Sequence, residues 1–196
     1  MNQNVRISRG YSLLEMIVSV GLFSIVMLVA TGAYLALIDI DRKARSVNEL
    51  VANLSFGVDS MARSIRTGIY YGCGSSGGSP GGTNGNPTCT TPMFSFLDTN
   101  INQKVTYKLL SDGVIGRCVG SSCVADSAFT GLTDPRITIA TTSTIGLVFY
   151  VKGIGTTDNT QPQVTFIIKG TMPSDSKGGV TPFVLQTTAT ERLIEF

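Results

Sequence analysis

Few side chains in this 196-residue chain could do chemistry, and they are unevenly placed. Glu15 is a lone carboxylate at the edge of an apolar run. From 16 to 38 the sequence MIVSVGLFSIVMLVATGAYLALI contains no charged residue and no proline. An acid beside hydrocarbon costs a few kcal/mol unless it is paired, which makes Glu15 a candidate functional group; the plain alternative is that it marks a membrane interface. Ahead of it lies MNQNVRISRG, ten residues with Arg6 and Arg9 and no acid. Four cysteines, Cys73, Cys89, Cys118 and Cys123, all follow the apolar run, in or beside segments that read as loops. Histidine is absent from the chain. That removes Ser-His-Asp and Cys-His nucleophiles, histidine general bases and histidine-containing metal sites. No carboxylate pair or Ser-Lys dyad stands out, so a non-catalytic chain without cofactor or metal is expected.

The elements that position these residues follow from period and composition. The run 16–38 is long enough to cross a roughly 30 Å hydrocarbon layer as a helix. A buried core helix would rarely run so far without a polar face. A cleaved secretory signal needs an apolar stretch of about 7 to 15 residues and then small residues. Ala30, Gly32 and Ala33 could mimic such a site, but the run continues through Leu35, Leu37 and Ile38. Beyond the charged patch DIDRKAR, apolar residues recur in steps of three and four at Val47, Leu50, Val51, Leu54, Val58, Met61 and Ile65, which describes one face of an α-helix. A helix of about 55 residues, ending near Thr67 and Gly68, is predicted; Gly57 inside it weakens the pattern by about 1 kcal/mol.

Residues 72–87, GCGSSGGSPGGTNGNP, read as a loop without helix or strand period, and no lysine followed by Ser or Thr closes a phosphate-binding pattern. Further on the period becomes two. Strands are predicted at 93–97, 104–110, 114–118, 136–140, 145–152, 163–169 and 181–190, with a hairpin turn at Ser111, Asp112 and Gly113. Short strands after one long helix give an α+β fold, a mainly antiparallel sheet covering the helix's apolar stripe. The predicted organisation is 1–10 leader, 11–38 transmembrane helix, 39–67 amphipathic helix, 68–92 glycine-rich loop and 93–196 sheet domain.

An even cysteine count in a sheet domain suggests disulfides. Cys73 with Cys89 and Cys118 with Cys123 are the simplest of three connectivities and suit an oxidising exterior; a four-cysteine zinc site and free thiols stay open. The net charge of +2 with scattered basic residues predicts no nucleic-acid footprint. Charged residues are only 14% against 42% apolar, which excludes a charged disordered chain.

Arg9, Gly10, Tyr11, Ser12, Leu13, Leu14 and Glu15, followed by the apolar run, resemble the signal sequence of type IV prepilins and type II secretion pseudopilins. The resemblance implies a pilin-like fold, cleavage between Gly10 and Tyr11 by a membrane peptidase, and N-methylation of Tyr11. Phenylalanine is commoner at the first mature position; Tyr11 keeps an aromatic ring. Glu15 lies four residues along, about 6 Å in helical rise. The terminal amine of a neighbouring subunit could therefore neutralise it and set axial register. The run PFVLQTTATERL, preceded by QPQVTFIIKG and IGLVFYVKG, is similar to the closing strands of the minor pseudopilin J and the pilus protein W group. The implied partners are other pilin or pseudopilin subunits, prepilin peptidase, an inner-membrane assembly platform and the lipid bilayer. Arg6 and Arg9 on one side of the span and Arg42, Lys43 and Arg45 on the other leave orientation undecided by charge. The resemblance and the cysteines put the N-terminus in the cytoplasm and the sheet domain outside. A minor fibre subunit is the expected function; an anchored or pilus-tip adhesin, binding through loops such as 72–87, is the alternative.

Overall fold

A computed structural model describes residues 11–75, 77–78, 88–141, 146–154, 160–173 and 179–192. The leader 1–10, with Gly10, and most of the glycine-rich stretch, 79–87, lie outside the described residues. The chain divides into two compact units, 1–44 and 45–196, and the helix α1 (Leu13–Arg66, 54 residues) contributes to both.

In the second unit α1 buries Leu50, Leu54, Gly57, Val58, Met61, Ala62 and Ile65. These are the three-and-four steps of one helical face. Val47 packs partly against the same core, whereas Val51, predicted on the stripe, is 44% exposed. Its position lies one residue past Leu50 and so turns about a quarter of the circle away from the stripe. Gly57 is buried, and a Cβ there would meet the Leu132 carbonyl oxygen at 3.4 Å, an ordinary van der Waals contact that leaves room for a small side chain.

The helix stops where tertiary groups take over its last carbonyls, which otherwise have no intrahelical donor. The Tyr71 hydroxyl donates to Ile65 O (2.7 Å), Arg192 N to Arg66 O (2.9 Å), and Thr99 N and Oγ1 to Thr67 O (3.1 and 2.7 Å). Burial, and then the charge of Glu191, push the Tyr71 phenol well above its ordinary pKa, so it remains a donor. A Cβ on Gly68 would overlap the Phe96 ring, and the chain leaves the helix directly into a strand.

Among the described residues nine strands follow, in two sheets rather than one. The first sheet has the order β1 (Gly68–Cys73), β2 (Met93–Asp98), β3 (Gln103–Leu109), β4 (Ile115–Val119) and β5 (Thr130–Gly131). The second contains β6 (Thr138–Ile139), β7 (Leu147–Lys152), β8 (Gln163–Pro173) and β9 (Val180–Thr190), and β8 pairs with all three others. Every strand pair is antiparallel. The observed architecture is therefore one long helix on antiparallel sheets, the α+β class the sequence predicts. Each of the seven predicted strands has a counterpart, though 136–140 shrinks to two residues and 163–169 lengthens to Pro173. The segment 68–92, predicted as loop, begins with β1, and its Thr88 bridges to Tyr150.

Aromatic rings join the sheets. Phe94 of β2 stacks on Phe149 of β7 at 4.9 Å, and the contacts continue from Phe94 to Tyr71 (5.9 Å) and from Phe149 to Phe166 (6.1 Å). Cys73, at the end of β1, is bonded to Cys89, whose N–H donates to Phe149 O (2.9 Å), so this disulfide fastens the first sheet to the second. Cys118 of β4 is bonded to Cys123. With Leu110 and Phe129 these two cysteines form a separate small cluster. Lys108 Nζ meets Asp126 Oδ1 there at 2.6 Å, and Ser111 N donates to Asp126 Oδ2 at 3.1 Å.

Two predictions follow from this packing. Chain-entropy arithmetic gives about 3 kcal/mol for a crosslink spanning about 16 residues and about 2 kcal/mol for one spanning about 5. Replacing Cys73 and Cys89 by serine should then lower the thermal midpoint more than replacing Cys118 and Cys123; calorimetry of the two double variants checks the order. The hydrogen bond from Lys108, followed by those from Ser111, lowers the Asp126 pKa to about 2. A carboxyl depressed in the folded state contributes stability above its unfolded pKa and loses it as pH falls toward the folded one. The stability gap between wild type and Asp126→Asn should hold above about pH 5 and close between about pH 4 and pH 2. Urea midpoints across that range would show it, and a gap unchanged at pH 2 would exclude the ion pair as its source.

Candidate functional site

The carbonyl of Ser12 opens α1 by accepting from Glu15 N (3.0 Å) and Met16 N (3.2 Å). With Leu13 as the first helical residue, Glu15 is the third and stands in the first turn. There the exposed amides carry partial positive charge that favours an anion. Ser-Leu-Leu-Glu also has the spacing of a capping box, a serine before the helix and an acid three residues on. Tyr11 precedes the helix and is 82% exposed. Tyr11 stands two residues ahead of the first helical residue and four before Glu15.

From Tyr11 to Leu37 every residue is exposed in the first unit, including Leu28 at 75%. This is the one described helix long and apolar enough to cross a membrane. Exposure of an apolar surface this continuous has no counterpart on an ordinary water-facing helix, which keeps a polar side. Two hydroxyls inside the run are satisfied by the helix's own carbonyls. Ser24 Oγ donates to Val20 O and Thr31 Oγ1 to Met27 O, both at 2.8 Å and four residues back. Hydrocarbon demands this, since a stranded donor there costs several kcal/mol. Nothing lies within 4 Å of a Cβ built on Gly21 or Gly32, so both face open space. The apolar N-terminal helix and the motif reported below indicate single-pass membrane anchoring.

The four cysteines sit elsewhere, in the second unit, and their sulfurs are bonded to one another, which leaves none as a metal-ligating thiolate. Among the described residues no group of three or more His, Cys, Asp or Glu could hold a metal ion. Sequence reasoning did not single out a polar group at the junction of α1 with β2, β3 and β4. Asp98, buried, accepts from Ser64 Oγ (3.2 Å), Thr67 Oγ1 (3.4 Å) and Asn100 N (3.0 Å). Beside it the Tyr107 hydroxyl is fully enclosed without a hydrogen-bond partner. Burial raises its pKa above the ordinary value, and nearby Ser64 and Arg117 oppose that rise without making an aligned hydrogen bond. No local motif could have revealed this group, because its members come from four elements.

Comparison with known proteins bears on the N-terminus. No curated protein and no solved structure matches the chain. A family model described as the prokaryotic N-terminal methylation motif matches residues 5–31, a stretch that holds Tyr11, Glu15 and the apolar run as far as Thr31. At the start of its apolar helix the chain therefore carries the N-terminal methylation motif typical of type IV prepilin-like proteins.

Proposed function

We propose that this chain is a structural subunit, a minor pilin or pseudopilin, of a type IV pilus or a type II secretion pseudopilus. The observation that carries the reading is the helix start: a methylation-motif match over a fully exposed apolar helix whose first turn holds an acid. In this reading the helix first inserts in the cytoplasmic membrane with residues 1–10 in the cytoplasm. Prepilin peptidase then cuts between Gly10 and Tyr11 and methylates the freed Tyr11 amine. An inner-membrane assembly platform extracts the mature chain into a bundle of other pilin or pseudopilin subunits, leaving the sheet domain periplasmic or extracellular. Glu15 pairs there with the terminal amine of a neighbour. A desolvated carboxylate tolerates no other neighbour cheaply, so the pair sets axial register. The two disulfides suit a domain that matures in an oxidising compartment.

The similarity of 182–193 and the strands before it to the J and W groups favours a minor over a major subunit. The chain's role is mechanical, so no residue is assigned to catalysis.

Intact mass and N-terminal sequencing of protein from its native membrane test the processing step. Methylated Tyr11 at the start is the expected result. A start at Met1 in cells with active prepilin peptidase, or near Ala33, would overturn the reading. The register step has its own test. Loss of one partner from a desolvated pair costs about 3 to 5 kcal/mol. Glu15→Ala should accordingly cut incorporation into fibres by well over tenfold while the sheet domain keeps its protease resistance; incorporation at the wild-type level would sink the pairing.

A further inference from the structure

A groove of about 540 Å³ lies in the second unit, between α1 and the outer margin of the first sheet. Ser60 and Ser64 of α1 line one side, Arg117 and Val119 of β4 and Thr130 and Gly131 of β5 the other. Clefts of this size commonly hold ligands. Its chemistry is one-sided. Among the described residues Arg117 is the one charged residue in the lining, and no carboxylate lines it. Asp98, bonded to Ser64, is buried and already accepts the three hydrogen bonds described above. The enclosed Tyr107 hydroxyl lies near Ser64 and Arg117 but does not itself line the groove.

The same groove runs along a strand edge. β5 is the last strand of its sheet, and among the described residues it pairs with β4 alone, through Gly116 with Gly131 and Arg117 with Thr130. Leu132 N donates to Ile115 O (2.7 Å), toward β4. Alternation in an antiparallel pair then turns the N–H and C=O of Gly131 away from β4, and Thr130 and Gly131 are both exposed. An edge of this kind accepts another extended chain. Val119, 40% exposed, adds an apolar contact at the rim.

We infer that this groove binds an extended peptide segment bearing one acidic side chain, its backbone on the Gly131 edge and its carboxylate on the Arg117 guanidinium, with Ser60 donating to the same carboxylate while Ser64 stays bonded to Asp98. A guanidinium fork matches a carboxylate in two parallel hydrogen bonds, which a water-filled groove would not require. The inference does not depend on fibre assembly and stands or falls separately from it.

The test uses the full chain, isotope-labelled in detergent micelles, with amide shifts followed by NMR at constant ionic strength. The probes are the peptide acetyl-Thr-Val-Glu-Val-Thr-amide, its Glu-to-Gln counterpart and sodium acetate. Saturable shifts at Ser60, Ser64 and Thr130 with the acidic peptide are expected. The Gln peptide, and separately Arg117→Gln, should weaken binding by about tenfold or more. Arg117→Lys, which keeps the charge but not the fork, should fall between. Equal binding of the Glu and Gln peptides would overturn the role of Arg117, and this comparison needs only the wild-type fold. Acetate saturating the same shifts as tightly as the peptide would replace a peptide ligand by a free carboxylate. No saturable shift in wild type would make the groove a feature of packing alone.

Discussion

One helical period serves two solvents in this chain, and every other element answers to that. Along α1 the rise and turn per residue stay constant, while the apolar side chains change from surrounding the helix to occupying one stripe. Up to Ile38 there is no charged side for water to wet. After Arg45 the stripe of Leu50, Leu54, Val58, Met61 and Ile65 defines where sheets must lie, since only their aromatic inner faces can cover it. The carbonyls released at the end of the stripe are then taken by Tyr71, Thr99 and Arg192, groups from both ends of the sheet region. The fold is thus organised from the helix outward.

Much of this was legible because it is local. The switch from all-round to one-sided hydrophobicity is written in consecutive residues, as is the alternation of β2, β3, β4, β7, β8 and β9. β1 was not legible, and its geometry says why. Tyr70 adopts a positive φ of 57° and the pairing register shifts between Ile69 and Gly72, so a bulge interrupts the alternation that would have announced a strand. The division into two sheets was equally hidden. It depends on which strands β8 accepts and on Phe94 meeting Phe149, contacts between residues more than fifty positions apart. Gly57 looked like a flaw in a helix; it is buried beside Leu132, a neighbour visible only once the segment after β5 is in place.

The candidate sites divide along the same line. Gly10, Tyr11 and Glu15 form a contiguous pattern that sequence alone can carry, and the family match falls on that stretch. The groove around Arg117 draws on α1, β4 and β5, and nothing in the spacing of Ser60, Ser64, Arg117 and Thr130 foretells their meeting. A chain can therefore disclose how it is anchored and withhold what its folded surface recognises.

The strand β8 has a further consequence. It pairs with β9 along its whole length and on its other side with β7 and then β6, so its backbone is hydrogen-bonded from both directions. Its amides can reach solvent only when the second sheet comes apart, whereas those of the two-residue margins β5 and β6 need merely a local opening. The second unit therefore contains a slow-exchanging spine and a fast-exchanging border. Fluctuation is concentrated at the border, and the surface beside β5 can adapt to a visitor while the sheet beneath α1 keeps its shape.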